Sequence, residues 1–351
     1  MRRLLRASGI LALFGVITAA DGWLATPDVL AASRTYSATD GASRLPTGPE
    51  ISLRHAGPLA VSPSGVLYVV DDSRQVVLER LRNGKFAAVA GDGTAGFDGD
   101  GGPATEAQLS DVADICFGPG GELYLADGSR VREVGRDGTI QTIAGNGGST
   151  GTVANGTPAL SAALGPVSSV AFSPSGQLYL ATSSQLLRVS PSDQLETVAA
   201  TVSAGLNADR GPLNEVGSIA VDTHGDVYAS STFAGWSLFE VSPDGVATYL
   251  GYDRRSGGNT AIIERGPGGV IEADDGSNVL RIQGSRLATA FAVSHLRGVK
   301  NFVFMDFFAI APNGTLYADD LGPPAFEAYQ QIIAVTNRHA ISLWKGPPRK
   351  G

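Results

Sequence analysis

Three aspartates, Asp92, Asp98 and Asp100, alternate with glycine in GDGTAGFDGDGGPATEAQL, residues 91 to 109. Carboxylates set this closely on a flexible chain suit a hard cation, and a run of glycine backbone suits a phosphate. Both patterns break off early. An EF-hand loop carries glycine at its sixth position and glutamate at its twelfth, and counted from Asp98 these are Pro103 and Leu109. The Lys-Ser/Thr pair of a phosphate loop does not follow the glycines. A second set of oxygen donors, Asp111, Asp114, Asn214, Glu215, Asn259 and Asp306, is scattered along the chain beside apolar runs. Brought together they would suit a divalent ion or a polar ligand; taken singly they are ordinary residues of loop-to-strand junctions. Glu264 and Arg265 stand together inside the apolar segment IIERGPGGVIEADD. Such a pair is either a charged binding determinant or the sign of a bulged strand that exposes it, and the bulge is the simpler expectation. Histidine is scarce, with only His55, His224, His295 and His339, which is thin for a zinc site. No serine is read as the nucleophile of a hydrolase triad, and no catalytic residue is assigned.

What must position these residues is a repeat. LAVSPSGVLYVVDD (59 to 72), ICFGPGGELYLADG (115 to 128), VAFSPSGQLYLATS (170 to 183), IAVDTHGDVYASS (219 to 231), IIERGPGGVIEADD (262 to 275) and FAIAPNGTLYADD (308 to 320) align on one glycine each. Those glycines are Gly65, Gly121, Gly176, Gly225, Gly269 and Gly314, spaced 56, 55, 49, 44 and 45 residues apart. Each copy reads as strand, glycine turn, second strand ending near Tyr-x-x-Asp, then a hairpin such as RVREVG-RDG-TIQTIAG (130 to 145). A meandering four-stranded sheet repeated six times buries its two faces by radial packing around an axis. The expected fold is all-β, a six-bladed β-propeller of four-stranded antiparallel blades. The Asp-Gly stretch then reads as a connector between blades. It recurs as GNGGSTGTVANGTPALSAAL (145 to 164), keeping Pro103 as Pro158 and Leu109 as Leu164 while Asp98 and Asp100 give way to Val153 or Ala154 and Asn155. PEISLRHA (49 to 56) and HAISLW (339 to 344) both have the pattern of an outermost strand, and one of them is expected to close blade six.

The run AGDGTAGFDGDGGPATEAQL followed by GELYLADGSRVREVGRDGTIQTIAG resembles the NHL repeat of bacterial extracytoplasmic proteins and teneurin-like propellers. The resemblance covers about residues 57 to 344, sharp in blades one and two and degenerate in blades four to six. It implies a non-catalytic binding or interaction module, with ligands at the mouth of the central channel. Propeller enzymes similar to gluconolactonases hold a divalent metal at that mouth, with two ligands eight residues before the blade glycine. Here those six positions are Gly57, Ala113, Ser168, Gly217, Ala261 and Asp306, of which only Asp306 is a ligand type. The ligand-binding candidates at the channel mouth are therefore Asp306, Asp111, Asp114, Glu215, Asn259, Glu264 and Arg265, with no metal and no cofactor assigned. The rival expectation is a metal-dependent lactonase or a propeller lyase of the zinc-binding amidating kind or the virginiamycin-inactivating kind, for which only His55 and His295 precede inner strands.

Composition sets the remaining bounds. Charged residues are 17%, and Gly 46 with Pro 19 suits many short strands joined by turns. A net charge of -8 gives no attraction to nucleic acid or to an anionic membrane. The start of the chain pairs a basic segment (Arg2, Arg3, Arg6) with an apolar run (Ile10 to Ala20) and alanine-rich sites, the pattern of a secretory signal over 1–32, with an uncleaved membrane anchor the lesser alternative. A flexible linker is expected over 33–48, the propeller over 49–345 and a short basic tail over 346–351. The lone Cys116 leaves the fold to packing rather than disulfides. The reading is a secreted, extracytoplasmic monomer whose partner is an envelope or extracellular protein, peptide or glycan.

Overall fold

The computed structural model describes Leu45 and residues 47–149, 152–198, 201–202, 216–231, 236–253, 262–274, 278–283, 286–292, 305–320, 330–336 and 339–346. All lie in one compact unit, Gly41–Gly351. The segment read as a signal lies outside the described residues, as do most of the linker and all of the tail beyond Gly346.

The described strands form six sheets, each meandering outward from an inner strand. Blade one runs Ala56–Val61, Leu67–Asp71, Val76–Arg80 and Phe86–Ala90; blade two Val112–Phe117, Leu123–Asp127, Arg130–Val134 and Ile140–Ala144; blade three Val167–Phe172, Leu178–Thr182, Leu186–Val189 and Gln194–Thr197. Blade four runs Val216–Val221, Val227–Ser231, Trp236–Val241 and Val246–Asp253; blade five Ile263–Arg265, Ile271–Asp274, Asn278–Gln283 and Arg286–Ala292; blade six Met305–Ile310, Leu316–Asp320, Gln331–Thr336 and His339–Lys345. Three blades gain a two-residue fifth strand: Glu50–Ile51 on blade one, Thr157–Pro158 on blade three and Thr201–Val202 on blade four. The last of these is parallel to its neighbour, which departs from the purely antiparallel four-stranded expectation.

The shared glycine of every repeat has positive φ, between 79° and 89°, in the turn from inner to second strand. That turn is closed by an i to i+3 hydrogen bond, as in Gly121 N to Gly118 O at 3.0 Å, and a residue with a Cβ would be strained there. On leaving the turn, successive side chains point to opposite faces of the blade. Leu67 and Val69 therefore pack toward blade six while Tyr68 and Val70 pack toward blade two. Six apolar clusters result, each spanning two neighbouring blades. A small residue of the inner strand pairs with tyrosine on the second strand: Ala60 with Tyr68, Cys116 with Tyr124, Ala171 with Tyr179, Ala220 with Tyr228 and Ala309 with Tyr317.

HAISLW closes blade six as its outer strand, in antiparallel register with Gln331–Thr336. PEISLRHA instead supplies the extra strand of blade one, pairing Glu50 with Ala87. The ends of the ring meet at Gln330. Its buried side-chain amide accepts the backbone N–H of Ala56 at 2.8 Å, donates to the Ala56 carbonyl, and donates to Asp319 at 2.8 Å.

The glycine-rich stretches are connectors of matching geometry. Gly91 N donates to Ala104 O, and one blade later Gly145 N donates to Ala159 O, both at 2.9 Å. A Cβ on either glycine would lie 2.3 Å from a backbone oxygen, of Gln75 and Ser129 respectively. The aspartates of the first connector have local partners. Asp92 accepts Thr94 N at 2.7 Å, and Asp100 accepts the fully buried Arg132 at 2.7 Å. Arg132 also donates to the carbonyls of Gln108 and Asp98 and lies 3.6 Å from the buried Asp127. Burial opposes ionisation of Asp100, but hydrogen bonds from Thr142 and Arg132 outweigh it and hold the carboxyl below its usual range. Fifty-five residues on, Asp98, Asp100, Asp127 and Arg132 become Val153, Asn155, Thr182 and Leu187 together. Asp100, Arg132 and Asp127 thus form one ionic cluster around a buried arginine, whose positions are all neutral one blade later.

Arg132→Leu, which strands Asp127 without its cation, is expected to destabilise the protein by about 3–5 kcal/mol in urea unfolding. Adding Asp127→Thr, blade three's pairing, should restore most of that loss; two losses that simply add would show the cluster is not a unit.

Candidate functional site

The inner strands surround a cavity of about 770 Å³ on the propeller axis. Its wall is mostly apolar or small, as the inner strands require if six sheets are to approach one axis. Two residues before each small inner-strand position stands a second ring: Pro58, Asp114, Ser169, Ser218, Ile262 and Phe307. On three successive blades this ring ties to the next. Asp114 Oδ2 accepts Val170 N at 2.9 Å and Ser169 Oγ at 2.6 Å; Ser169 Oγ accepts Ile219 N at 3.1 Å; Ser218 Oγ accepts Ile263 N at 3.0 Å. The N–H groups on the open edge of an inner strand would otherwise lack partners, and a short side-chain acceptor from the preceding blade satisfies them.

Asp114, Glu264 and Arg265 all line the cavity. Blade five is not bulged between its first two strands, although Arg265 is exposed as the bulge was expected to leave it. Glu264 pairs with Glu272 in unbroken register, at the position that alanine or cysteine fills opposite tyrosine in the other blades. The other five blades have a register shift at the start of the inner strand, whereas the shift described in blade five lies farther out, between Val279 and Leu280. On the second strand the compensation is visible: Glu272 replaces tyrosine and is paired by Arg281 of the third strand. Asp111 is exposed on the loop before blade two's inner strand and is not part of the cavity wall. Glu215 and Asn259 lie outside the described residues, as does the side chain of Asp306, whose backbone belongs to blade six's inner strand. The structure therefore brings Asp114, Glu264 and Arg265 to one cavity and takes Asp111 away from it. Ser169, Ser218 and Phe307 were not singled out by sequence; their signal was a fixed offset from the alanine of each repeat.

Burial pushes the Asp114 carboxyl up to about 6, against hydrogen bonds from Ser169, Val170 N–H and Ile115 N–H. Glu264 is raised well above the usual range, first by burial and then by the charge of Asp114, with Arg265 opposing. The Cys116 thiol is also pushed up by burial and by these two carboxyls, so it stays protonated and is no thiolate nucleophile. His55 Nδ1 lies 2.7 Å from Asp72 and is not in the cavity wall, and His295 is outside the described residues. Among the described residues, one group brings three metal-ligand types within 4.8 Å: Asp222, His224 and Asp226 in the blade-four turn. There both Asp222 oxygens are engaged, Oδ1 by the N–H groups of His224 and Asp226 and Oδ2 by the His224 ring at 3.2 Å.

Teneurin-3 of Danio rerio is 37% identical to the chain over 102 residues, covering 25% of this chain and 4% of its own length. Teneurin-m of Drosophila melanogaster is 37% identical over 106 residues, covering 27% and 4%. The repeats aligned above, six blades on one axis and this similarity together decide the class. The chain is an NHL-type β-propeller. No profile of a known protein family matches the sequence. The NHL-type propeller spans only a few per cent of the length of these curated relatives. Among solved structures it is similar to a streptogramin B lyase (TM-score 0.53, 10% identity, 86% of this chain and 87% of that one). It is also similar to virginiamycin B lyase from Staphylococcus aureus (0.52, 11%, 86% and 89%) and to a protein described as a putative gluconolactonase (0.52, 13%, 86% and 96%). At these identities the likeness is one of fold.

A raised native pKa means that the folded propeller binds more protons than the unfolded chain between pH 4 and 6. The stability Asp114 contributes is thus complete below its unfolded pKa and is lost as pH rises through about 6. Relative to Asp114→Asn, which keeps an acceptor for Ser169 and Val170, the wild type should lose on the order of 2 kcal/mol between pH 4 and 7 in urea unfolding. A wild-type-to-variant difference that stays constant with pH would contradict this environment.

Proposed function

We propose that this propeller is an exported, non-catalytic binding module whose cavity mouth receives an extracellular or envelope protein, peptide or glycan. The observation that carries the reading is the make-up of the cavity mouth. At the described positions where lactonase-like propellers are expected to present metal ligands, this chain has Gly57, Ala113, Ser168 and Gly217. Ser168, the one polar side chain among them, is committed to the Val216 carbonyl at 2.6 Å. Burial favours the thiol form of Cys116, and among the described residues of the wall no activated nucleophile stands beside the carboxyls Asp114 and Glu264. A cavity of about 770 Å³ is in the size range of ligand sites, and its wall is rigid because every strand of it belongs to a packed blade. Export is supported by the basic and apolar start of the chain and by the similarity to teneurins.

The competing reading is a metal-dependent lactonase or lyase, favoured by the named structural neighbours and by Asp306. Elemental analysis and a lactone-hydrolysis assay on purified protein separate the two. No stoichiometric metal, and turnover no higher in wild type than in Asp306→Ala, is the expected result. One metal per chain, lost with turnover in Asp306→Ala, would replace the module with the enzyme.

A further inference from the structure

We propose that the channel is a receptor for a primary alkylammonium group, held between Asp114 and Glu264. The inference rests on the binding-module reading and names the chemistry of the ligand.

Glu264 is the observation that demands an occupant. It lines the cavity, is partly buried, and has no hydrogen-bond or ion-pair partner among the described residues. Its counterparts in the other blades are Ala60, Cys116, Ala171, Ala220 and Ala309, so the fold does not need a carboxyl there. Even partial desolvation of a carboxylate costs free energy, which a cation meeting it in the cavity offsets. Asp114 lines the same cavity, and its charge raises the cost of ionising Glu264. It is immobilised by Ser169 and Val170, so it presents a fixed acceptor. Arg265 is the one basic residue of the wall; it is exposed and forms no ion pair with Glu264.

The occupant is an organic cation rather than a bare metal ion for two reasons. Asp114, Cys116 and Glu264 are not among the groups whose ligand atoms converge within 4.8 Å, and a hard ion takes six or more oxygens. Ile262 and Phe307 in the Asp114 ring, with the other aliphatic and aromatic residues of the wall, suit an alkyl stem. An ammonium group favours the ionised carboxyls, so binding releases protons. The titratable and charged groups facing the cavity from the described inner strands are Asp114 and Cys116 of blade two and Glu264 and Arg265 of blade five. Affinity should accordingly rise with pH from 5 to 8.

The test is calorimetric titration of the purified protein with 1,5-diaminopentane and with Nα-acetyl-lysinamide, using 1-pentanol as the uncharged control. Saturable binding of an amine is expected, with none of pentanol, and with proton release seen as a dependence on buffer ionisation heat. Glu264→Gln and Asp114→Asn should each weaken binding by about tenfold or more. Glu264→Ala, which installs the residue of other blades, should do the same in a protein at least as stable as wild type. Preference for the diamine assigns a free amine; preference for the lysine amide assigns a side chain of a peptide. No amine binding at millimolar concentration, or equal binding by the folded variants, overturns the proposal. Lactone turnover in the same preparation would overturn the module reading itself; its absence alongside failed amine binding would sink this inference alone.

Discussion

A ring of sheets buries the faces of its terminal blades only if the last blade meets the first, and in this protein one side chain ties that junction. Gln330 stands beside blade six and treats the backbone of Ala56 as a strand would, accepting its N–H and donating to its carbonyl, while Asp319 holds the amide in place. Residues 274 positions apart in sequence are thereby joined in a buried site. The apolar cluster around that junction, including Leu59, Ala309 and Ile332, supplies the burial that makes an unmade hydrogen bond costly there. Because both terminal blades complete their own four strands, the ring closes by packing and by this amide, without a strand exchanged between the chain ends.

The same logic continues around the inner wall. Where the ring residue is Asp114, Ser169 or Ser218, the next blade's N–H is satisfied by a side chain; where it is Pro58, Ile262 or Phe307, contact is apolar. One part of the wall is therefore stitched by polar atoms and the other is greasy. The Ser169 and Ser218 hydroxyls are engaged in structure, which leaves Asp114, Glu264 and Arg265 as the charged features of the cavity among the described residues. Acids inside a packed wall lower stability at neutral pH, and such a local conflict is what a binding site imposes on an otherwise consistent fold.

The architecture was legible because its constraints are local. Each repeat needs a positive-φ glycine at one turn, and period-two burial follows from the strand, so Gly65 through Gly314 mark the blades without any tertiary information. The connector was legible for a related reason: a Cβ cannot fit at Gly91 or Gly145, while Asp98 and Asp100 were free to change once Arg132 changed. That coupling itself was invisible, since nothing in the spacing of Asp100 and Arg132 says that they touch. Blade five misled for the opposite reason. An acid and a base in an apolar strand suggest a bulge, yet the first two strands of blade five pair without a shift, with Arg281 on the third strand meeting the acid of the second and Glu264 facing the cavity. Which acids share the cavity depends on how far each inner strand runs along the axis, a property of the assembled ring, and so Asp111 and Asp114, three residues apart, part company.

The account stands most directly on the claim that the blades are tied at the inner wall and at the closure by side chains acting on backbone. Native-state hydrogen exchange read at single amides tests it. The N–H groups of Ala56, Val170, Ile219 and Ile263 should exchange only through global unfolding, as slowly as amides paired within the blades. Exchange of these four at the rate of the exposed connector amides near Thr94 would contradict it.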